Sequence, residues 1–302
     1  MKHLFIGSIL ALALIGCGES HPSVHAEDLD KELETVTEDE HTVTSINDSL
    51  MQTLNSIPSP IETAFQIQKS GGEYNKSFLN HTDNRENYLT ATQQALNLGI
   101  YSADLAYINI YKSNDVLQYL TVVSRIAEDL GIGKFFDLQS MSELAKHDNN
   151  LDSLLQVTTD NFETINAHLQ EQEQSHLSML MLTGGWLEGL HLINSVYQDK
   201  PSEELKERIG EQKFVLGQIV MLVKYFKGKN STISNLYSKL EELNKIYSQI
   251  EIKTIKSDKV DYIFEDGLRI AVPRSSSKVM ITDAQVKEII AKANSIRNFI
   301  TE

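Results

Sequence analysis

Cysteine is almost absent from this sequence: Cys17 is the only one. One cysteine excludes any disulfide within the chain, so the fold must hold by packing and polar contacts alone. Motifs for common chemistries are missing too. No Gly-x-Ser-x-Gly elbow presents a nucleophile. The nearest approach to a phosphate loop, Gly131-Ile132-Gly133-Lys134, is a helix terminator followed by a lysine without the rest of the motif. No repeat at the periods of helical solenoids is present. Basic residues are scarce, 27 against 42 acidic ones, and nowhere form the dense stripe that nucleic acid requires, so no nucleic-acid partner is expected.

What is there begins at the N-terminus. Lys2 and His3 precede an apolar run, Leu4 to Ile15, and then Gly16 and Cys17. Twelve apolar residues cannot span a bilayer core, which takes about 20. Leu14-Ile15-Gly16-Cys17 resembles the lipobox of bacterial lipoproteins, which implies a signal peptide over 1–16, cleavage before Cys17, and acyl chains such as palmitate on its sulfur and amine. The expected mature protein is therefore membrane-anchored at the cell envelope through lipid, with no thiol left for chemistry. Gly18, rather than aspartate, follows the cysteine. By analogy with enteric sorting, that favours the outer membrane if the source is Gram-negative.

Removing 1–16 takes away Lys2 and moves the formal charge from -15 to -16. Half of that resides in residues 19–40, where nine acids face only Lys31. Such a stretch cannot bury a core, so 17–40 is expected to be a solvated acidic tether. Residues 41–199 hold seven basic and nineteen acidic residues, and 200–302 hold eighteen and fourteen. The change of sign implies attraction between the two halves of a helical domain over 41–302.

Helical periodicity dominates that domain and predicts a mainly α multi-helix bundle. Ser59-Pro60-Ile61-Glu62 carries a cap, a proline at the first helical position and an early acid, and Gly71-Gly72 ends that helix. A second helix is expected from Thr82 or Asp83 through Ile110, and a third from Ser113 and Asn114 to Gly131. Ser140 to His147 reads as a short helix. Leu151, Leu155, Thr158, Phe162, Ile165 and Leu169 form a ladder of four and three residue steps, as do Ile233, Leu236, Leu240, Leu243, Tyr247 and Ile250. Each ladder is under three heptads, which suits packing within a bundle better than a coiled coil. A helix starting at Pro201, apolar on most sides over Phe214–Phe226, is placed at the centre. Alternation over Lys259–Val272 about Glu265-Asp266-Gly267 predicts a β-hairpin within 252–281, closed by Pro273 and a Ser275–Ser277 loop. A final helix is expected over 283–302 behind Thr282.

The densest oddity is Gly184-Gly185-Trp186-Leu187-Glu188-Gly189-Leu190-His191. Each glycine inside a helix costs about 1 kcal/mol relative to alanine, so something must offset it. Gly185 and Gly189 are expected to admit the Gly99, Ala103 and Ala106 face of another helix. That crossing would bring Asp104 and Glu188 together, with Tyr101, Tyr107 and Trp186 supplying hydrogen-bond donors. A buried carboxylate must be paired, bonded or neutral. The five residues Tyr101, Asp104, Tyr107, Trp186 and Glu188 are the candidate ligand or close-packing site. Glu173 with His176 and Glu188 with His191 share the spacing of di-iron bundles, but fifteen residues on one straight helix separates the pairs by about 22 Å. No metal and no other cofactor is expected, and no catalytic residue stands out.

Tyr101-x-Ala103-Asp104-Leu105-x-Tyr107 and Gly184-Gly185-Trp186-x-Glu188-Gly189, with Tyr74-Asn75-Lys76 and Ala95-Leu96-Asn97-Leu98-Gly99, resemble a family of uncharacterised helical lipoproteins of Bacteroidota, over about residues 57–250. The resemblance implies a lipid-anchored helical domain and no particular reaction. The function expected is non-catalytic binding or scaffolding with an envelope protein partner. The alternative is a small-ligand receptor or enzyme built on Asp104, Glu188 and Trp186. A sealed crossing favours the first and an open cleft the second.

Overall fold

The computed structural model describes residues 60–135, 161, 164–265 and 268–302. All belong to one unit, Ser49–Glu302, and form a helical bundle carrying one hairpin. Its helices are α1 (Pro60–Lys69), α2 (Ala91–Ile110), α3 (Val116–Asp129), a helical segment over 164–171, α4 (Ser175–Asp199), α5 (Glu203–Phe226), α6 (Ser231–Ser248) and α7 (Asp283–Thr301). The hairpin pairs β1 (Glu251–Glu265) antiparallel with β2 (Leu268–Met280). The helix expected over 140–147 and most of the 151–169 ladder lie outside the described residues. Of that ladder, Ile165 and Leu169 are buried.

The bundle is built around α2 and α4. In α2, 14 of 20 residues are buried, and in α4, 18 of 25. Helices apolar on nearly every side belong in the middle of a bundle. They touch along a crossing so tight that a Cβ on Gly99 would stand 2.0 Å from the Met181 carbonyl oxygen and 2.6 Å from the Gly185 nitrogen. One on Gly184 would stand 1.9 Å from the Leu96 carbonyl oxygen. Backbone meets backbone here, and only glycine fits. The expected crossing therefore forms, with Gly99 set against Gly185 and with Gly184 packed on Leu96 beside it; Gly189 departs from expectation and turns to α1, where a Cβ would lie 3.2 Å from the Thr63 methyl.

Other boundaries also differ from expectation. The helix predicted from Thr82 starts at Ala91, behind the Thr90–Gln93 capping box. Thr82–Asn87 forms a 3-10 helix instead. The α3 N-cap is Asp115, and its carboxylate does not cap the helix but accepts from Tyr74 and Lys76. The α5 helix begins behind Ser202 rather than at Pro201 and flanks the bundle, with Phe214 63% and Tyr225 43% exposed. Its apolar residues were too many for one face, and the surplus points outward. The second ladder is entirely buried, from Ile233 to Ile250. The hairpin is longer than its alternating core: Ser275, Ser276 and Ser277 lie within β2 and pair with Lys256, Ile255 and Thr254. Thr282 caps α7 as expected, with Gln285 closing the box.

Candidate functional site

On α4, Glu188 is 0% exposed, and α7 passes beside it. Arg297 of α7 donates through Nε and Nη2 to both its carboxylate oxygens, at 2.6 and 2.7 Å. Burial works against the charge on Glu188, but Arg297 outweighs it and holds its pKa below the usual glutamate value. Two parallel charge-assisted bonds give the strongest geometry available to such a pair.

Asp104 of α2 completes the cluster and is also fully buried. One of its oxygens accepts the Asn80 backbone N–H at 3.0 Å. The other receives no N–H or O–H donor and faces Glu188, so a proton belongs on it. Burial first, then the negative Glu188, pushes the Asp104 pKa well above the usual carboxylate range. Asp104 thus stays a neutral acid and donates to the Glu188 carboxylate. One cation, one anion and one proton bridge three helices with no net charge, the arrangement a low-dielectric interior tolerates best.

His191, one turn along α4 from Glu188, has its Nε2 3.0 Å from the Phe78 carbonyl oxygen. That nitrogen must carry a hydrogen. Burial lowers its pKa, with Arg297 acting the same way and Glu188 opposing, so the ring is neutral and Nδ1 is an acceptor. Asn294 Oδ1 lies 3.2 Å from Nδ1, and with Nδ1 an acceptor the bonding pattern assigns the amide the reverse orientation, NH2 toward the ring.

These groups fasten an irregular strap over residues 72–88, and the bundle's tyrosines fasten the rest. Tyr111 donates to the Gly72 carbonyl at 2.7 Å, Tyr107 to Glu73 at 2.9 Å, Tyr119 to Asn80 at 2.8 Å and Tyr101 to His81 at 2.8 Å. The Asn75 N–H donates to the Tyr107 hydroxyl, and Tyr88 donates to the Thr301 carbonyl at 3.3 Å. An irregular segment on a bundle has no ladder to satisfy its backbone, so side chains must do it. Burial raises the Tyr101 and Tyr119 pKa values and keeps their hydroxyls as donors.

The five candidate residues therefore separate into three places. Asp104 and Glu188 meet, as expected. Tyr101 and Tyr107 do not donate to them but hold the strap. Trp186 lies on the other side of α4, because two residues turn a helix by about 200°. Its indole N–H donates to Gln212 at 2.9 Å. With Thr63, Gly185, Gly189 and Ile193 it lines a cleft wide enough for about one water.

The metal alternative is also dispersed. Glu173 is exposed with φ 57 at the end of the 164–171 segment. His176 rests against the Phe226 ring, and burial with nearby Lys229 lowers its pKa. Glu188 is taken by Arg297, and His191 by Phe78 and Asn294. Among the described residues, no group of three or more His, Cys, Asp and Glu is placed to hold a metal.

Arg297 escaped the sequence reading although its signal was present. Val286, Ile289, Ala293, Ile296 and Ile300 make an apolar stripe on α7, and Arg297 falls four after Ala293 and three before Ile300. A cation there needs a buried anion. Asn80 and Phe78 gave no signal, since each contributes backbone. Comparison with family models, curated proteins and solved structures returns no match.

Proposed function

We propose that the chain is a lipid-anchored protein of the cell envelope, acylated at Cys17, that works by binding or scaffolding rather than by catalysis. The observation that carries the non-catalytic half is the closure of the Asp104, Glu188 and Arg297 cluster. Both carboxyls are fully buried, every strong charge is matched inside, and Trp186 faces elsewhere. General acid or base work needs a substrate atom within hydrogen-bond reach, and here that reach is occupied by the strap. The cluster is better suited to holding α2, α4, α7 and residues 72–88 in one geometry. That geometry supports a rigid domain displayed from a membrane.

Support for anchoring comes from Leu14-Ile15-Gly16-Cys17 behind a short apolar run. No described helix is long and apolar enough to cross a membrane. Cells fed radiolabelled palmitate should label the wild-type chain and not Cys17→Ser. Label on the variant would sink the anchor. For the binding half, the intact lipoprotein should retain a specific envelope protein after crosslinking, and Asp104→Asn should retain it equally. A partner lost on that isosteric change would return the cluster to the role of a ligand site.

A further inference from the structure

The hairpin is the element that the bundle does not explain. Its base is seated firmly: a Cβ on Gly210 of α5 would stand 2.4 Å from Val279 Cγ1, so β2 enters against bare backbone. From there β1 and β2 pair out to Glu265 and Leu268. Among the described residues no third strand joins them, and a two-stranded sheet is at best marginal in water.

Its two halves differ in composition. The basal half carries the devices that blunt sheet edges: Lys253 and Lys256 on β1, a register irregularity between Lys256 and Val260, and Pro273 and Lys278 on β2. The distal half lacks lysine and proline. The register sets Tyr262 with Ala271 on one face and Ile263 with Ile270 on the other, so residues of apolar type fall on both. Only Asp261, Glu265 and Arg269 are charged over Val260–Glu265 and Leu268–Val272.

We propose that the hairpin is the binding arm of the protein and that its partner is a second copy of this chain, joined antiparallel along β2 over Leu268–Val272 about a two-fold axis at Ile270. This pairing rests on the binding reading above and names the partner. The edge of β2 is self-complementary. About Ile270, Leu268 opposes the other copy's Val272 and Arg269 opposes Ala271, so no like charges meet. The same operation on β1 about Ile263, the cross-strand partner of Ile270, would oppose Asp261 to Glu265, and like charges directly opposite destabilise a sheet. Pro273, which has no N–H to give, closes the five-residue stretch. Two hairpins so joined make a four-stranded sheet, which removes the marginality of each alone. An interface this short is weak in dilute solution, and confinement of both copies to one membrane raises their effective concentration.

Disulfide trapping in the intact envelope tests the pairing on the full chain. With Ile270→Cys, directly opposed residues put their Cβ atoms about 4.5–5.5 Å apart, close enough for small movements to form a disulfide. Mild oxidation should move this variant to double mass on a non-reducing gel. Lys278→Cys on the same strand should stay single, because its two copies would lie about 50 Å apart along the joined strands. Adding Ala271→Pro should cut the Ile270→Cys product by about tenfold or more, since proline cannot donate to the new ladder. The proposal is overturned if Ile270→Cys stays single, if Lys278→Cys crosslinks equally, or if Ile270→Cys is trapped on a different envelope protein. Wild type, whose only cysteine is Cys17, is the control. A double-mass band from it would refute acylation of Cys17, and the arm is then tested in a Cys17→Ser background by the same two positions.

Discussion

Arg297, five residues before Glu302, grips both oxygens of Glu188 in the middle of α4. The grip closes the bundle, since α7 brings Arg297 to the one buried carboxylate among the described residues that remains charged. Arg297 is 13% exposed at its side chain and Glu188 not at all, so little solvent screens the pair.

Removing one partner should therefore be far worse than removing both. Arg297→Met leaves Glu188 charged and dry, and should cost about 3 to 5 kcal/mol in urea unfolding. The double variant Arg297→Met with Glu188→Gln should recover most of that loss. A double variant no more stable than Arg297→Met would mean that Glu188 is not the group left stranded.

Asp104 gives the stability curve a slope in pH. Its ordinary pKa is 3.8 and its folded value lies well above it. The unfolded chain thus releases this proton first, and the folded state holds more protons as pH rises past 3.8. The stabilising contribution is full below that value and is lost progressively up to the raised folded pKa, at up to about 1.4 kcal/mol per pH unit. His191 and His176, whose pKa values are lowered from 6.5, act in the opposite sense and only as pH falls below it. Both histidines are shared by wild type and an Asp104 variant, so the difference between the two isolates Asp104. Asp104→Asn, a permanent stand-in for the neutral acid, should gain on wild type as pH rises above 3.8 toward the raised folded pKa. Parallel melting curves for the two proteins across that window would show that Asp104 carries no proton.

How much of this was legible follows from the kind of signal each feature leaves. The ladder from Ile233 to Ile250 and the caps at Thr282 and Gly131 are local patterns, and they stand where the sequence put them. The meeting of Asp104 with Glu188 was legible because two carboxylates sat among apolar neighbours beside glycines. The approach of Gly99 to Gly185 was legible for the same reason, but the turn of Gly189 toward Thr63 was not, because which helix covers a given turn depends on crossing geometry that periodicity does not resolve. The strap was invisible for a deeper reason. Its contacts are carbonyls of Gly72, Glu73, Asn80 and His81, and every residue type carries a carbonyl. What the sequence did contain was the other half: tyrosines at 101, 107, 111 and 119, more polar handles than α2 and α3 needed for packing alone.

Those tyrosines should show their worth as donors. Tyr119→Phe keeps the ring but leaves the buried Asn80 carbonyl without its hydroxyl partner, at a cost of about 1 to 3 kcal/mol. Hydrogen exchange should then speed up at the Asn80 amide, which Asp104 otherwise protects. Unchanged exchange there, with lower global stability, would mean that the strap does not move as a unit.

The glycines separate close packing from helix propensity most sharply. Gly217 on α5 has nothing within 4 Å of a built Cβ, so Gly217→Ala should stabilise by up to about 1 kcal/mol through propensity alone. Gly189→Ala meets only the Thr63 methyl at 3.2 Å. A small shift of α1 relieves that contact, so its net effect should stay within about 1 kcal/mol of zero. Gly99→Ala and Gly184→Ala have no such relief, because the opposing atoms are backbone carbonyls at 2.0 and 1.9 Å. Each must push α2 and α4 apart, at a cost at or above the usual 1 to 3 kcal/mol of overpacking. The expected order of thermal midpoints is Gly217→Ala highest, Gly189→Ala near wild type, and Gly99→Ala and Gly184→Ala lowest or failing to fold. Wild-type stability in Gly99→Ala would break the argument, since it would require the two central helices to sit farther apart than the packing of Met181, Leu96 and the carboxylate cluster allows.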